Sequence, residues 1–117
     1  MKRVAAVIFL PLLIGLNAHA APAFLSEQQA RAKAIAILKG DPYGTTAAEV
    51  AKAIKQVRLV RDGNTKACGA KKIAAWEFHV VVVTPNKDQF NNGAIDGYLA
   101  LDARNGRVLC ANLPLLD

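Results

Sequence analysis

The groups in this chain able to do chemistry are few. Cys68 and Cys110 are its only cysteines. Their spacing is not the C-x-x-C of a dithiol redox pair. A tetrahedral zinc site needs more ligands than two cysteines and His79, the one histidine beyond residue 20. The same stretch holds one serine, Ser26, which precedes Glu27-Gln28-Gln29 in the pattern of a helix cap. A Ser–His–acid relay would need Ser26 and His79 to meet, and nothing in their contexts brings them together. His79 stands between Phe78 and Val80 and reads as a sheet histidine. Asp62, Asp96 and Asp102 lie in turn contexts, where Asp accepts from nearby backbone N–H groups, so no paired-carboxylate site is in view. Gly40-Asp41-Pro42-Tyr43-Gly44 lacks the length and the lysine of a phosphate loop. The expectation is a chain that is not an enzyme, with no catalytic, cofactor-binding or metal site.

The N-terminus reads as an address. Met1-Lys2-Arg3 is basic, Val4 to Leu16 carries no charge, and Ala18-x-Ala20 is the small-residue pattern of a cleavage site. That order describes a secretory signal peptide over residues 1–20. The apolar run is shorter than the roughly 20 residues that cross a bilayer, and no later run approaches that length. A single domain, 21–117, with no membrane span, is then exported to the periplasm or secreted. In an oxidising compartment, Cys68 and Cys110 are expected to pair. The bridge closes a loop of about 43 residues, worth about 4 kcal/mol in the chain-entropy account.

Elements follow from spacing. Ser26 to Gln29 is a capping box opening a helix that runs to Lys39, with Gly40 as its stop. Thr46 to Glu49 is a second capping box, and Val50, Ala53, Ile54 and Val57 extend a second helix over roughly 46–56. Arg58 to Arg61 is a short strand ended by Asp62-Gly63, and residues 65–72 read as a loop. The strongest strand runs from Ile73 to Thr84, with Trp76, Phe78, Val80 and Val82 on one face. Its other face carries Glu77 and His79, then Val81 and Val83, so the apolar far half is expected to lie under a cover. Tyr98–Leu101 and Arg107–Ala111 form a hairpin about a turn with Asn105-Gly106 at its positive-φ positions. The sum is α+β: two N-terminal helices on one face of a small antiparallel sheet of three to four strands, with one disulfide.

Residues 85–97 make a long connection, and long loops are often functional. Phe90 stands in it among polar residues, so Lys87, Phe90, Asn91 and Asn92 form the candidate partner-binding loop. Beyond residue 20 there are thirteen Lys and Arg against nine Asp and Glu. The cations are dispersed along the sequence, with Lys71-Lys72 the one adjacent pair and Lys66 nearby, and few aromatics interleave with them. That pattern disfavours nucleic acid. It leaves an anionic polymer or lipid head groups as the alternative ligand class.

The helix followed by Trp76-Glu77-Phe78-His79-Val80-Val81-Val82, and the ending Gly97-Tyr98-Leu99-Ala100-Leu101-Asp102-Ala103-Arg104-Asn105-Gly106-Arg107-Val108-Leu109, resemble the PepSY domain. The likeness covers roughly residues 26–111, and its most specific part is the strand, Asp-Ala-x-x-Gly turn and strand of Leu101 to Leu109. The second helix, the cysteine pair and the long loop depart from that family's pattern. The resemblance implies a small extracytoplasmic binding module that modulates or inhibits a protease or another extracytoplasmic protein. It carries over no catalytic residue.

Overall fold

A computed structural model describes residues 23–116; the expected signal segment, residues 1–20, lies outside them. Helix α1 spans Glu27–Leu38 and α2 spans Ala47–Ala53, both opened by the expected capping boxes. Ser26 accepts from Gln29 N and Gln29 returns a bond to Ser26 N. Thr46 and Glu49 do the same for α2. Four strands form one antiparallel sheet in the order β1 (Ile54–Val60), β4 (Ala75–Val83), β5 (Ala94–Asp102), β6 (Val108–Ala111). A two-stranded hairpin, β2 (Asn64–Thr65) and β3 (Gly69–Ala70), forms a second small sheet, largely within residues 65–72, the stretch expected to be a loop.

The helices cover one sheet face. Trp76, Phe78 and Val80 of β4 and Leu99 and Leu101 of β5 are buried with Ala30, Ala34 and Leu38 of α1 and Val50 and Ala53 of α2. The α1 residues recur at four-residue spacing and form one stripe, and two of the three are alanines, so the helix backbone can approach the large side chains of the sheet. Full burial of a side chain such as Phe78 contributes about 1.5–3 kcal/mol. The Trp76 indole N–H finds a partner in Leu25 O at 2.9 Å.

The second helix is shorter than its apolar spacing predicts. Ile54 leaves the helix in an extended conformation while its N–H still bonds Val50 O, and β1 begins at that residue. Pairing with β4, from Ile54 opposite Val80 to Val60 opposite Ala75, overrides the helical period of Val50, Ala53, Ile54 and Val57. Lys55 reaches back from the strand to donate to Lys52 O at 2.8 Å, closing the helix end.

The outer sheet face reverses a second expectation. Its charged end is the covered one: Glu77 is 2% exposed, while Val83 at the apolar end is 78% exposed. The cover is the β2–β3 hairpin. Cys110 pairs across the ladder with Ala100, which pairs with Glu77, and the Cys68–Cys110 disulfide fastens the hairpin to that row, with Cα–Cα 5.4 Å. Glu77 Oε2 accepts from Lys66 N and Ala67 N of the hairpin, and Oε1 accepts from Arg58 Nε at 3.1 Å and Nη2 at 2.8 Å. A carboxylate so surrounded is more stable buried than an alkyl group left under polar backbone.

The connection after β4 is also shorter than expected. Ala94 to Gly97 belong to β5, opposite Val83 to Val80, so the loop proper is residues 84–93. In the β5–β6 turn, Gly106 alone takes positive φ (76°), and Asn105 instead accepts from Arg107 N at 2.9 Å.

Candidate functional site

The end of the sheet where β4 stops and β5 starts presents the candidate loop on a fixed frame. Thr84 N donates to Gly93 O at 2.7 Å, Gly93 N to Gln89 O at 2.7 Å, and Gln89 N to Asn86 O at 3.2 Å. Asn86 Oδ1 accepts from Asp88 N at 3.0 Å. These bonds hold Phe90 at φ 57° and Asn92 at φ 60°, left-handed conformations that disfavour a side chain. Phe90 is 39% exposed.

Two further segments meet Phe90. The C-terminal stretch crosses β5 at Gly97, where a Cβ would fall 2.5 Å from Asn112 O, so only glycine admits the crossing. Asn112 grips the strand there, donating its N–H to Tyr98 O at 3.0 Å and accepting from Tyr98 N on its side chain. Tyr43, buried in the turn between the helices, donates its hydroxyl to Pro114 O. Burial pushes the Tyr43 phenol up to about 12. This anchor presents Leu115, itself at φ 66° and 73% exposed. On one side of Phe90 lies a hollow of about 300 Å³ bordered by Asn91, Asp96, Asn112 and Pro114. On the other lies one of about 380 Å³ bordered by Asp41, Pro42, Gln89 and Leu115. Of the four expected loop residues, Phe90 and Asn91 line these hollows; Lys87 and Asn92 are exposed and line neither. Leu115 was not foreseen, because nothing in its local sequence places it beside Phe90.

The open part of the outer face holds a second polar group. His79 Nε2 lies 2.6 Å from Asp96 Oδ1, and its ring stacks on Tyr98 with centroids 4.7 Å apart and planes 16° from parallel. Lys66 Nζ stands 5.9 Å from the Tyr98 ring. Asp96, expected to cap a turn, instead sits in β5 opposite Val81, two ladder positions from the His79–Tyr98 pair. Asp62 and Asp102 do serve their turns, accepting from Asn64 N at 3.0 Å and Arg104 N at 2.8 Å. Ser26 remains the cap of α1 and does not join His79. Among the described residues no three His, Cys, Asp or Glu side chains gather to hold a metal ion, and no helix is long and apolar enough to cross a membrane.

No protein-family model, no curated protein and no solved structure matches this chain.

Proposed function

We propose that the chain is an exported, non-enzymatic binding module of the PepSY type that holds an extracytoplasmic protein, such as a protease, against the end of the sheet bearing Phe90 and Leu115. One observation carries this reading. Two large apolar side chains, Phe90 and Leu115, are both held at positive φ, both solvent-exposed, and both border one hollow. Left-handed backbone at a bulky residue costs about 1–2 kcal/mol, and a fold keeps such conformations where the presented side chain has work to do. An exposed aromatic over a rigid frame is the usual anchor of a protein contact. The disulfide supports the compartment, since such bonds persist where thiols are not kept reduced.

The test is recovery of partners from the extracytoplasmic fraction by the chain and by a Phe90→Ala, Asn92→Ala variant. Loss of a central anchor lowers affinity by about thirtyfold, so the variant is expected to release at least one specific partner. Equal recovery of every partner by both proteins overturns the assignment of this loop as the contact.

A further inference from the structure

The opposite end of the sheet gathers cations that are far apart in sequence. Val60 pairs with Ala75, Ala75 with Asp102, and Leu101 with Val108, so one row ends four strands. The chain passes beyond that row at Arg61, at Lys71-Lys72-Ile73 and at the Arg104–Arg107 turn. Backbone bonds tie these pieces together: Lys71 N to Gly63 O at 3.3 Å, Ala103 N to Ala74 O at 2.9 Å, and Leu25 N to Ala103 O at 2.7 Å. The last bond sets Phe24 at this end, where its ring centroid lies 5.3 Å from Arg61 Cζ and 5.0 Å from Arg104 Cζ. Lys33 lays its stem over Gly106, where a Cβ would fall 2.1 Å from Lys33 Cδ.

Six cations, Lys33, Arg61, Lys71, Lys72, Arg104 and Arg107, therefore share one end. None of them enters the ion pairs found among the described residues, which use Arg31, Arg58 and His79. Two carboxylates stand at the same end, Asp62 and Asp102, each accepting from a backbone N–H, and Glu27 pairs with Arg31 at 3.1 Å, so the end keeps an excess of positive charge. Unpaired like charges brought together oppose folding and favour an anionic partner. Among them stands an apolar side chain, Ile73, directly after Lys71-Lys72 and 40% exposed.

We infer that this end binds an anionic membrane surface. Its cations meet the phosphate head groups, and Ile73 enters the interfacial layer. A soluble polyanion would use the cations and gain nothing from Ile73, whereas an exposed apolar side chain beside Lys71 and Lys72 suits a lipid interface. The row spans about 14 Å, three strand spacings, wide enough for several head groups. Seated this way, the Phe90 end faces away from the bilayer.

The test is co-sedimentation of the chain from Ala21, which contains every element of the fold, with phosphatidylglycerol-rich and with pure phosphatidylcholine vesicles. Tighter binding to the anionic vesicles, weakening as salt rises, is expected. Each cation near such a surface contributes about fivefold, so Arg61→Gln, Lys72→Gln, Arg104→Gln together lower affinity about a hundredfold. Lys39→Gln, Lys52→Gln, Lys87→Gln, the same change in net charge away from this end, lower it far less. Ile73→Ser weakens binding several-fold at every salt concentration. No preference for anionic vesicles, or equal losses from the two triple variants, overturns the inference. Unchanged binding by Ile73→Ser overturns the membrane assignment in favour of a soluble polyanion.

Discussion

Glu77 and Val83 project from the same face of one strand, and the carboxylate is the buried member of the pair while the valine stands in solvent. The hairpin fastened by Cys68 decides this, because it reaches the Glu77 row and stops short of Val83. The burial of Glu77 depends on its bonds to Arg58, Lys66 N and Ala67 N. Glu77→Gln removes the charge that all of them favour and is expected to lower unfolding free energy by about 2–4 kcal/mol, part of the Arg58 contribution being screened by solvent. Val83→Ser on the same face should stay within about 0.5 kcal/mol of the parent. Urea unfolding of the two variants checks the contrast, and similar losses would contradict it.

Cutting the disulfide acts on the same hairpin. Cys68 and Cys110 are separated by 42 positions, and their link is worth about 4 kcal/mol through the unfolded chain. Cys68→Ser, Cys110→Ser is expected to lower the urea midpoint accordingly. It should also make the hairpin the first site of tryptic cleavage, after Lys66, Lys71 or Lys72, while β4 and β5 stay protected. Uniform cleavage across the sheet would mean that the bond holds the whole fold rather than this cover.

Much of this arrangement is legible in the residues and part of it is not. The two capping boxes, the faces of the long strand and the final hairpin are written locally, in side chains that bond within three or four positions or alternate along one strand. The end of α2 is not, because Val50, Ala53, Ile54 and Val57 satisfy a helical period as well as a strand that must pair with β4. The cover over Glu77 needs the cross-sheet alignment of Cys110 with Ala100 and Ala100 with Glu77, which no local pattern reports. Cations that look dispersed between Lys33 and Arg107 converge because antiparallel pairing returns the chain to one end. Phe90 was visible as an aromatic in a polar loop; its neighbour Leu115 depends on the Tyr43–Pro114 anchor, which joins residues far apart in the chain.

That anchor is pH-dependent. The Tyr43 phenol ionises near 12 when folded and near the ordinary value of about 10 when unfolded. Between those values the folded chain keeps the proton and unfolding releases it. The contribution of Tyr43 is therefore intact below about 10 and lost as pH rises toward 12. Tyr43→Phe should cost about 1 kcal/mol at neutral pH through the lost bond to Pro114 O. The gap between parent and variant should close, then invert, as pH climbs through that window. A gap constant from neutral pH to pH 12 would show that the phenol does not titrate with folding.

Phe90 allows presentation and stability to be separated. Its backbone sits at φ 57°, where glycine is unstrained and alanine is not, so Phe90→Gly should be more stable than Phe90→Ala by about 1 kcal/mol. Both variants lack the ring. If Phe90 is kept for contact, both lose the partner equally despite their different stabilities, and the more stable glycine variant binds no better than the alanine one. If Phe90 only packs the loop, partner recovery should instead follow stability, and Phe90→Gly should retain more of it. Thermal unfolding together with partner recovery on the same two proteins decides between them.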